Sequence, residues 1–225
     1  ELNSLRSQIN PHFLYNTLDS IRGHLMSLGF SDAAEIIESL SNLFRYSIDP
    51  RAVYNTLEQE LDNVADYMRI MRFRLGDRLR FQTVVDARDE YILNCEMPKL
   101  TLQPIVENAI EHGLARMPEN ARIELRAYVA REGLNILVSD NGVGIEPRRL
   151  DELNARLREG SPVEKRRGSG LALVNVNERI RLLHGGDPHG LRVFSEVGVG
   201  TQVHILLPVR LMPVEHGPRR PGGDA

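Results

Sequence analysis

The sequence predicts an α+β protein in which an N-terminal helical hairpin precedes a two-layer sandwich of helices on a mixed sheet. Through residues 1–49, apolar residues recur at steps of three and four, which is typical of amphipathic helices. After residue 78, segments of alternating apolar and polar residues are interspersed with helical ones. This order of helices and strands favours one mixed sheet that carries its helices on one face.

The composition excludes several classes of protein. Of the 225 residues, 41% are hydrophobic and 26% are charged, which is ordinary for a chain with a packed core. The formal net charge of −3 gives no general attraction to nucleic acid, which is therefore not expected as a partner. The single cysteine, Cys95, allows no internal disulfide, fits a reducing compartment and is expected to be a small buried apolar residue. No apolar run approaches the roughly 20 residues that span a bilayer.

Residues 1–49 predict two helices that are separated near Gly29. The apolar stripe of the first helix consists of Leu14, Leu18, Ile21, Leu25 and Leu28. Ser31 and Asp32 can cap the second helix, whose apolar residues are Ile36, Ile37, Leu40, Leu43 and Phe44. Two short helices bury little surface alone, so we expect two hairpins to form a four-helix bundle in a homodimer. Packing of the hairpin against the rest of the same chain is the alternative.

The second helix is expected to end at Asp49-Pro50, because proline disfavours helical backbone in the residue before it. We assign residues 1–50 to the helical hairpin domain, 51–209 to a second domain that contains the sheet, and 210–225, rich in proline and glycine, to a disordered tail. The elements predicted after the hairpin are a linker at 50–56, helices at 57–75, 98–114, 147–158 and 171–184, strands at 80–85, 122–129, 134–139, 191–196 and 201–207, and a polar loop at 159–170.

Three polar motifs of the second domain could bind a nucleotide. Asn108 lies within a predicted helix, and its amide oxygen is a suitable ligand for Mg²⁺. Asp140 ends an apolar strand and can accept from an exocyclic amine, while the glycines that follow it let a flat ring approach the backbone. Gly168-Ser169-Gly170 precedes a helix, whose first N–H groups favour phosphate. Each motif alone has an ordinary explanation: a solvated helix face, a strand-end turn or a helix start.

Five motifs occur in a fixed order along the chain and together are highly specific. They are residues 10–16 (NPHFLYN), 102–113 (LQPIVENAIEHG), 140–145 (DNGVGI), 168–171 (GSGL) and 175–180 (NVNERI). In this order and spacing they closely resemble the LytS/YesM-type sensor histidine kinases, whose ATP domain has the Bergerat (GHKL) fold. The resemblance covers nearly the whole chain and implies a protein-histidine kinase that uses ATP and Mg²⁺.

The resemblance also implies roles for individual residues. Asn108 would hold Mg²⁺, and Asp140 would bond the adenine amine. The adenine pocket would be shaped by Gly142, Gly144 and Ile145. Residues 159–170 would form the ATP lid, with Gly168 and Gly170 near the phosphates; the candidate residues there are Arg167, Gly168, Ser169 and Gly170, followed by Leu171. His112 would approach the phosphates, and Thr201 would close the floor of the pocket.

His12 is the candidate phosphoacceptor. On an ideal helix it lies roughly opposite the apolar stripe, so it is expected to face outward, toward an approaching ATP domain. Its neutral imidazole presents a nucleophilic nitrogen near physiological pH, and the resemblance implies that this nitrogen receives the phosphoryl group. Asn16, one turn on, could orient the ring by a hydrogen bond. Glu107 is a candidate polar participant from the ATP domain.

Two positions bear on the reaction class. Many histidine kinases carry an acidic residue directly after the acceptor, but this chain carries Phe13, as the branch that it resembles also does, so the base is unassigned. ATPases of the gyrase and MutL type carry a glutamate four residues before the metal asparagine, where it activates water. Here Pro104 occupies that position and cannot act as a base. Transfer to a side chain of the enzyme is therefore favoured over hydrolysis.

We therefore predict the cytoplasmic core of a two-component sensor histidine kinase that phosphorylates its own His12 and then an aspartate of a response regulator. A non-catalytic ATP-sensing signalling scaffold and a GHKL-type ATPase are the alternatives. The chain starts at Glu1 inside a helical pattern, so we interpret it as a fragment. The resemblance implies an upstream sensor domain that this chain lacks and a membrane-anchored bacterial parent protein.

Overall fold

A computed structural model describes residues 11–48, 52–86, 91–114, 120–159 and 171–213. These residues form a helical hairpin, a small two-stranded sheet, and a five-stranded sheet with helices packed against it. Within the described ranges, no helix combines the length and the apolar character that a bilayer crossing requires.

The predicted hairpin is present as α1 (Pro11–Ser27) and α2 (Ser31–Ile48). None of the residues of α1, all of which the structure describes, is buried, and Ile21 and Leu28 of its apolar stripe are 42% and 56% exposed. By contrast, α2 also packs on α3 (Leu57–Leu75), where Arg69 donates a hydrogen bond to buried Ser39 at 2.7 Å. The alternative of packing within one chain therefore holds for α2. The four-helix bundle, which would cover α1, stays a prediction.

The segment before α3 is more ordered than the linker that the sequence predicts. β1 (Tyr54–Thr56) pairs antiparallel with β3 (Glu96–Pro98). Thr56 then caps α3: its hydroxyl accepts from the Gln59 amide at 3.2 Å, and the Gln59 side chain accepts from the Thr56 N–H at 3.0 Å. Threonine followed three residues later by glutamine is a known signal of a helix start, so the sequence did contain this information.

The prediction that a helix begins at Pro98 is wrong. Pro98 ends β3, where a residue without an N–H is tolerated because the strand lies at a sheet edge. Leu100 then adopts a left-handed φ of 59°, which is rare for a bulky side chain, and the chain turns into α4 (Leu102–Asn108). The helix continues as a π-helical turn, Ala109–Leu114, so the predicted end is confirmed.

A five-stranded mixed sheet is present, as predicted. Its strands are β2 (Leu79–Val85), β4 (Ala121–Ala130), β5 (Gly133–Asp140), β6 (Gly190–Glu196) and β7 (Gly200–Leu207). They lie in the order β2-β4-β5-β7-β6, with β2 parallel to β4 and the other neighbours antiparallel. In β4, Ile123 and Leu125 are buried whereas Arg122 and Arg126 are exposed. Among the described residues, helices therefore cover one face of the sheet, whereas exposed side chains such as Arg122 and Arg126 lie on the other face.

Two helices, α5 (Pro147–Glu159) and α6 (Leu171–His184), pack against β6. Asn177 of α6, only 2% exposed, fixes their positions. Its amide nitrogen donates to the Leu157 carbonyl at 2.7 Å, and its oxygen accepts from the Leu191 N–H at 2.8 Å. One buried amide thus ties α6 to both α5 and β6.

The predicted disordered tail begins too early at residue 210. Leu211 forms an antiparallel bridge with Cys95, and the Met212 N–H donates to the Asn94 carbonyl at 3.1 Å. The Asn94 side chain donates back to the Met212 carbonyl at 3.0 Å. Cys95 is buried, as predicted. Residues 214–225 of the predicted tail lie outside the described residues.

Glu60, a residue of α3, places a buried carboxylate against the start of α4. It is 0% exposed and accepts the backbone N–H groups of Leu100, Thr101 and Leu102 at 2.6, 2.8 and 2.9 Å. The Tyr46 hydroxyl also donates to it. Burial raises the pKa of Glu60, and these hydrogen bonds oppose that rise. Because Thr101 makes no side-chain cap, Glu60 supplies from α3 the partner that the first turn of α4 lacks.

We predict that Glu60→Ala lowers the free energy of unfolding by about 3 kcal/mol, because each buried donor left without a partner costs roughly 1–3 kcal/mol. Urea denaturation measures the change. Glu58→Ala, in the first turn of the same helix but exposed, is the matched control and is expected to change stability by less than about 0.5 kcal/mol. Equal losses in the two variants would show that Glu60 is not the cap.

Candidate functional site

Three polar side chains lie where neighbouring strands end at one edge of the sheet. Asp140 ends β5 in phase with buried Val138, and Thr201, the second residue of β7, is in phase with buried Val203. The strand register pairs Thr201 with Asp140 on one side and with Ser195 of β6 on the other. Because side chains alternate along a strand, all three lie on the face that the helices cover.

The Asp140 carboxylate is held in place by backbone groups. The Gly142 N–H donates to its Oδ1 at 2.8 Å, and the Thr201 N–H also donates to the carboxylate. Burial nevertheless raises the pKa of Asp140, since desolvation outweighs the two hydrogen bonds. An ionised carboxylate can accept more than two hydrogen bonds, so Asp140 has capacity for a donor on a ligand.

Ser195 connects the loop at 141–145 to the start of β7. Its Oγ accepts from the Ile145 N–H at 2.9 Å and donates to the Gly200 carbonyl at 2.7 Å. The same oxygen lies 2.9 Å from the Thr201 hydroxyl. This network fixes Ile145 and Thr201 relative to each other.

Gly144 allows the loop to approach the β6–β7 turn closely. Its φ is 72°, and a Cβ at this position would lie 2.1 Å from the Glu196 carbonyl oxygen. Beside it, the Gly198 N–H donates to the Val143 carbonyl at 2.9 Å. The loop and the turn therefore make backbone contact, and only glycine fits at position 144.

A cavity of about 700 Å³ lies between this edge of the sheet and the helices. Asp140 and Thr201 line it from the sheet, and Asn108 and His112 line it from α4 and its π-helical turn. Its apolar walls are Ile105, Ala109, Val138, Val143, Ile145, Leu153, Leu173, Val197 and Val203. Its other charged residues are Glu111, Glu146, Arg149, Glu152 and Arg156.

The structure brings most of the described candidate residues together. The candidates that line the cavity are Asn108, His112, Asp140, Gly144, Ile145 and Thr201. Gly142 does not line it but holds Asp140, and Leu171 is the first residue of α6. Glu107 is also absent from the lining; its carboxylate accepts from Gln103 at 2.7 Å. Four candidates lie outside the described residues: Arg167, Gly168, Ser169 and Gly170.

His12 lies on the first turn of α1 and is exposed, as the helical geometry predicts. The Asn16 amide nitrogen is 3.3 Å from its Nδ1 and 3.5 Å from its Nε2. Tyr15 lies one turn after His12 on α1, and the guanidinium of Arg45 from α2 is 5.5 Å from the centroid of its ring. The imidazole is therefore exposed, with the Asn16 amide nitrogen beside both of its ring nitrogens.

Comparison with known proteins identifies the family. The family described as "Histidine kinase" matches residues 1–79, and "Histidine kinase-, DNA gyrase B-, and HSP90-like ATPase" matches residues 97–211. Sensor histidine kinase YesM of Bacillus subtilis is 40% identical over 93% of this chain. The chain belongs to the sensor histidine kinase family.

Other sensor kinases are similar over nearly the same length. Sensor histidine kinase YpdA of Escherichia coli is 33% identical over 95% of this chain, and sensor protein LytS of Bacillus anthracis is 30% identical over 94%. The chain spans about a third of the length of these relatives: 33% of YesM, 35% of YpdA and 34% of LytS.

The ATPase family match makes residues 97–211 an ATP-binding domain, and the cavity fits the nucleotide. Asp140 offers a buried acceptor at the sheet edge, and the apolar walls suit a flat ring. Asn108 places an amide in the same cavity, where its oxygen suits Mg²⁺ that keeps phosphate oxygens and waters as its other ligands. When bound, the metal would neutralise phosphate charge.

The contribution of α5 to this site was missed in the sequence analysis. Arg149, Glu152 and Arg156 line the cavity, yet in the sequence they are indistinguishable from the solvated face of an amphipathic helix. Ser195 was also missed, because a serine on a strand carries no motif. Only the strand register, which sets Ser195 opposite Thr201, could have identified it.

We predict that Gly144→Ala weakens ATP binding by at least about ten-fold, since the loop must move away from β6 to admit a Cβ. Isothermal calorimetry with a non-hydrolysable ATP analogue measures the affinity. Gly185→Ala is the matched control, because its φ of 82° is also left-handed but nothing lies within 4 Å of a Cβ there. If both variants bind the analogue like the unmodified chain, the close approach at Gly144 does not shape the site.

Proposed function

We propose that this chain is the kinase core of a two-component sensor histidine kinase, in which ATP bound in the cavity phosphorylates His12. The observation that carries the proposal is the combination, in one chain, of an ATP-binding cavity with Asn108 and Asp140 and an exposed histidine beside Asn16. A donor and an acceptor of a phosphoryl group are both needed for autophosphorylation, and this chain has a candidate for each.

In the proposed complex, the adenine amine donates to the Asp140 carboxylate, and Gly142 keeps that carboxylate in place. Gly144, Ile145 and Thr201 form the wall and floor around the ring. Asn108 is the protein ligand of Mg²⁺, and His112 lies toward the phosphates. The lid residues Arg167, Gly168, Ser169 and Gly170, with Leu171, are proposed to contact the phosphates, as the family motif implies.

The proposed reaction forms a bond between an imidazole nitrogen of His12 and the γ-phosphorus, and breaks the bond from that phosphorus to the β–γ bridging oxygen. ADP leaves with the electron pair. The ring nitrogen that carries no proton attacks through its lone pair, and the proton on the other ring nitrogen stays in place, so no base is needed during attack. Glu107 remains a candidate polar participant.

The remaining expectations follow from the family and belong to the whole protein. We propose a homodimer that buries the α1 stripe, transfer from phosphorylated His12 to an aspartate of a response regulator, and a membrane-anchored parent whose cytoplasmic portion includes this chain. The proposed domains are residues 1–50 for dimerisation and phosphotransfer and 51–209 for catalysis. The exposed apolar residues Ile21 and Leu28 support the dimer, since contiguous exposed apolar surface favours association.

Two other functions would give different results. A non-catalytic ATP-sensing scaffold would bind ATP without forming phosphohistidine, even when joined to its native sensor half. A GHKL-type ATPase would release phosphate whether or not His12 is present. Neither alternative has a supporting observation in the described residues, whereas Pro104 in place of the water-activating glutamate opposes hydrolysis.

We predict that His12→Gln abolishes the acid-labile label that the chain takes up from γ-labelled ATP, because glutamine has no nucleophilic ring nitrogen. Scintillation counting after acid and alkali treatment measures the label. His24→Gln, at another exposed histidine of α1, is the control and should keep the label. Label that survives in His12→Gln would disprove the assignment of the acceptor.

We also predict that Asn108→Ala lowers the rate of His12 phosphorylation at least about 100-fold. Without the amide oxygen, Mg²⁺ would no longer be positioned to stabilise the negative charge of the transferred phosphoryl group. Nucleotide affinity, measured by calorimetry with and without Mg²⁺, provides the control. The magnesium-free affinity should match that of the unmodified chain, and the gain from Mg²⁺ should disappear. An unchanged magnesium dependence would remove the metal role of Asn108.

A further inference from the structure

A polar junction connects the hairpin to the start of α4; it consists of the half-buried side chains of Tyr46 and Arg179, the buried carboxylate of Glu60 and the backbone of residues 99–102. The Tyr46 hydroxyl of α2 donates to the Glu60 carboxylate of α3. Glu60 in turn accepts the three N–H groups of residues 100–102. Arg179 of α6 donates to the Leu100 carbonyl at 2.6 Å. Elements of both proposed domains therefore meet at one carboxylate.

Leu100 is held by this junction from both sides. Its left-handed φ of 59° is strained for a leucine. Its N–H is bound by Glu60 and its carbonyl by Arg179, each at 2.6 Å. Such a conformation persists only where the surroundings impose it. The path of the chain into α4 thus depends on the junction.

Tyr46 is the contribution of the hairpin to the junction. Besides donating to Glu60, its hydroxyl accepts from the side chain of buried Asn55, and the Lys99 ammonium lies 5.2 Å from its ring centroid. Burial and the Glu60 carboxylate raise the pKa of Tyr46, so the hydroxyl keeps its proton and stays a donor. A movement of α2 would therefore change the hydrogen bonding of Glu60 directly.

The helix that starts at the junction carries Asn108 at its other end. α4 spans Leu102–Asn108, so Asn108 lies about 9 Å along the helix axis from Leu102. Along its length the helix is also tied to α3, since Asn63 donates to Gln103 at 2.7 Å. A short helix moves as a rigid unit, so a tilt at its start displaces Asn108. The adenine side of the cavity, around Asp140, belongs to the sheet and has no part in the junction.

We propose that Tyr46 and Glu60 are positioning residues that couple the second hairpin helix to the helix of Asn108, and so set the rate of phosphoryl transfer with little effect on nucleotide affinity. This inference rests on the proposed function, because Asn108 affects transfer only if the chain is a kinase. The structural part of the inference does not depend on the proposed function. Glu60 links the position of α2 to the order of residues 99–102 whether or not the chain transfers a phosphoryl group.

The first experiment measures amide hydrogen exchange in the whole chain without nucleotide. Tyr46→Phe removes one hydroxyl and keeps the ring, so the fold is expected to persist. We expect peptides that cover residues 99–104 to exchange about five-fold faster in this variant, because the anchor of their N–H groups loosens. Tyr54→Phe is the matched control, since within the described residues the hydrogen bond of the Tyr54 hydroxyl is a long one, 3.5 Å to the Leu183 carbonyl. Unchanged exchange at 99–104 in Tyr46→Phe overturns the proposal.

The second experiment compares transfer with binding. At saturating ATP we expect the rate constant of His12 phosphorylation in Tyr46→Phe to fall about ten-fold, because small displacements of reacting groups cost large factors in rate. The affinity for ADP should match that of the unmodified chain, and Tyr54→Phe should behave like the unmodified chain in both measurements. A loss of ADP affinity as large as the loss of rate would make Tyr46 merely structural and overturn the proposal.

The two experiments separate the two ideas. If the unmodified chain forms no phosphohistidine, the proposed function fails, while hydrogen exchange at residues 99–104 still decides whether the junction couples the hairpin to α4. If phosphohistidine forms but neither exchange nor transfer responds to Tyr46→Phe, the coupling fails and the proposed function stands.

Discussion

The alternation of side chains along a sheet covered on one face is the constraint on which the site depends. Asp140 and Thr201 are polar, but they occupy positions where the pattern of each strand places a side chain among the helices. In the middle of each strand, the positions that face the helices hold buried aliphatic residues. At the end of the strand, the position that faces the helices borders the cavity instead. The same register that packs the core therefore delivers the polar groups to the cavity.

Much of this arrangement could be predicted from local sequence. The helical period of α6 and the alternation in β4 and β5 follow from side-chain burial, whereas the apolar residues named above for α1 and α2 are exposed or half-buried. Gly144 lies in the loop after β5, where the close approach of the backbone needs a glycine. Asn108 and Asp140 could be paired in advance because the motifs that contain them resemble one family, and both residues lie within the ATPase family match at 97–211. Their separate roles stay proposals.

What the sequence could not predict depends on contacts between distant residues. Nothing local to Glu60 distinguishes it from its exposed neighbour Glu58, yet one is a buried cap for a helix 40 residues away and the other is solvated. The misplaced helix start at Pro98 has the same origin, since β3 exists only because β1 pairs with it. Arg149 of α5 likewise gains its place at the cavity from tertiary packing alone.

The π-helical turn that follows Asn108 makes the length of this stretch as important as its composition. A π-helical turn accommodates an additional residue within an α-helix. Loss of one residue between Asn108 and His112 would leave too few residues for the wider turn, which would tighten toward the α-helical repeat. His112 would then take the place of Glu111 on the cavity wall, although the histidine itself had not been changed. Homologous chains that keep this geometry are therefore expected to accept substitutions in the turn far more readily than insertions or deletions.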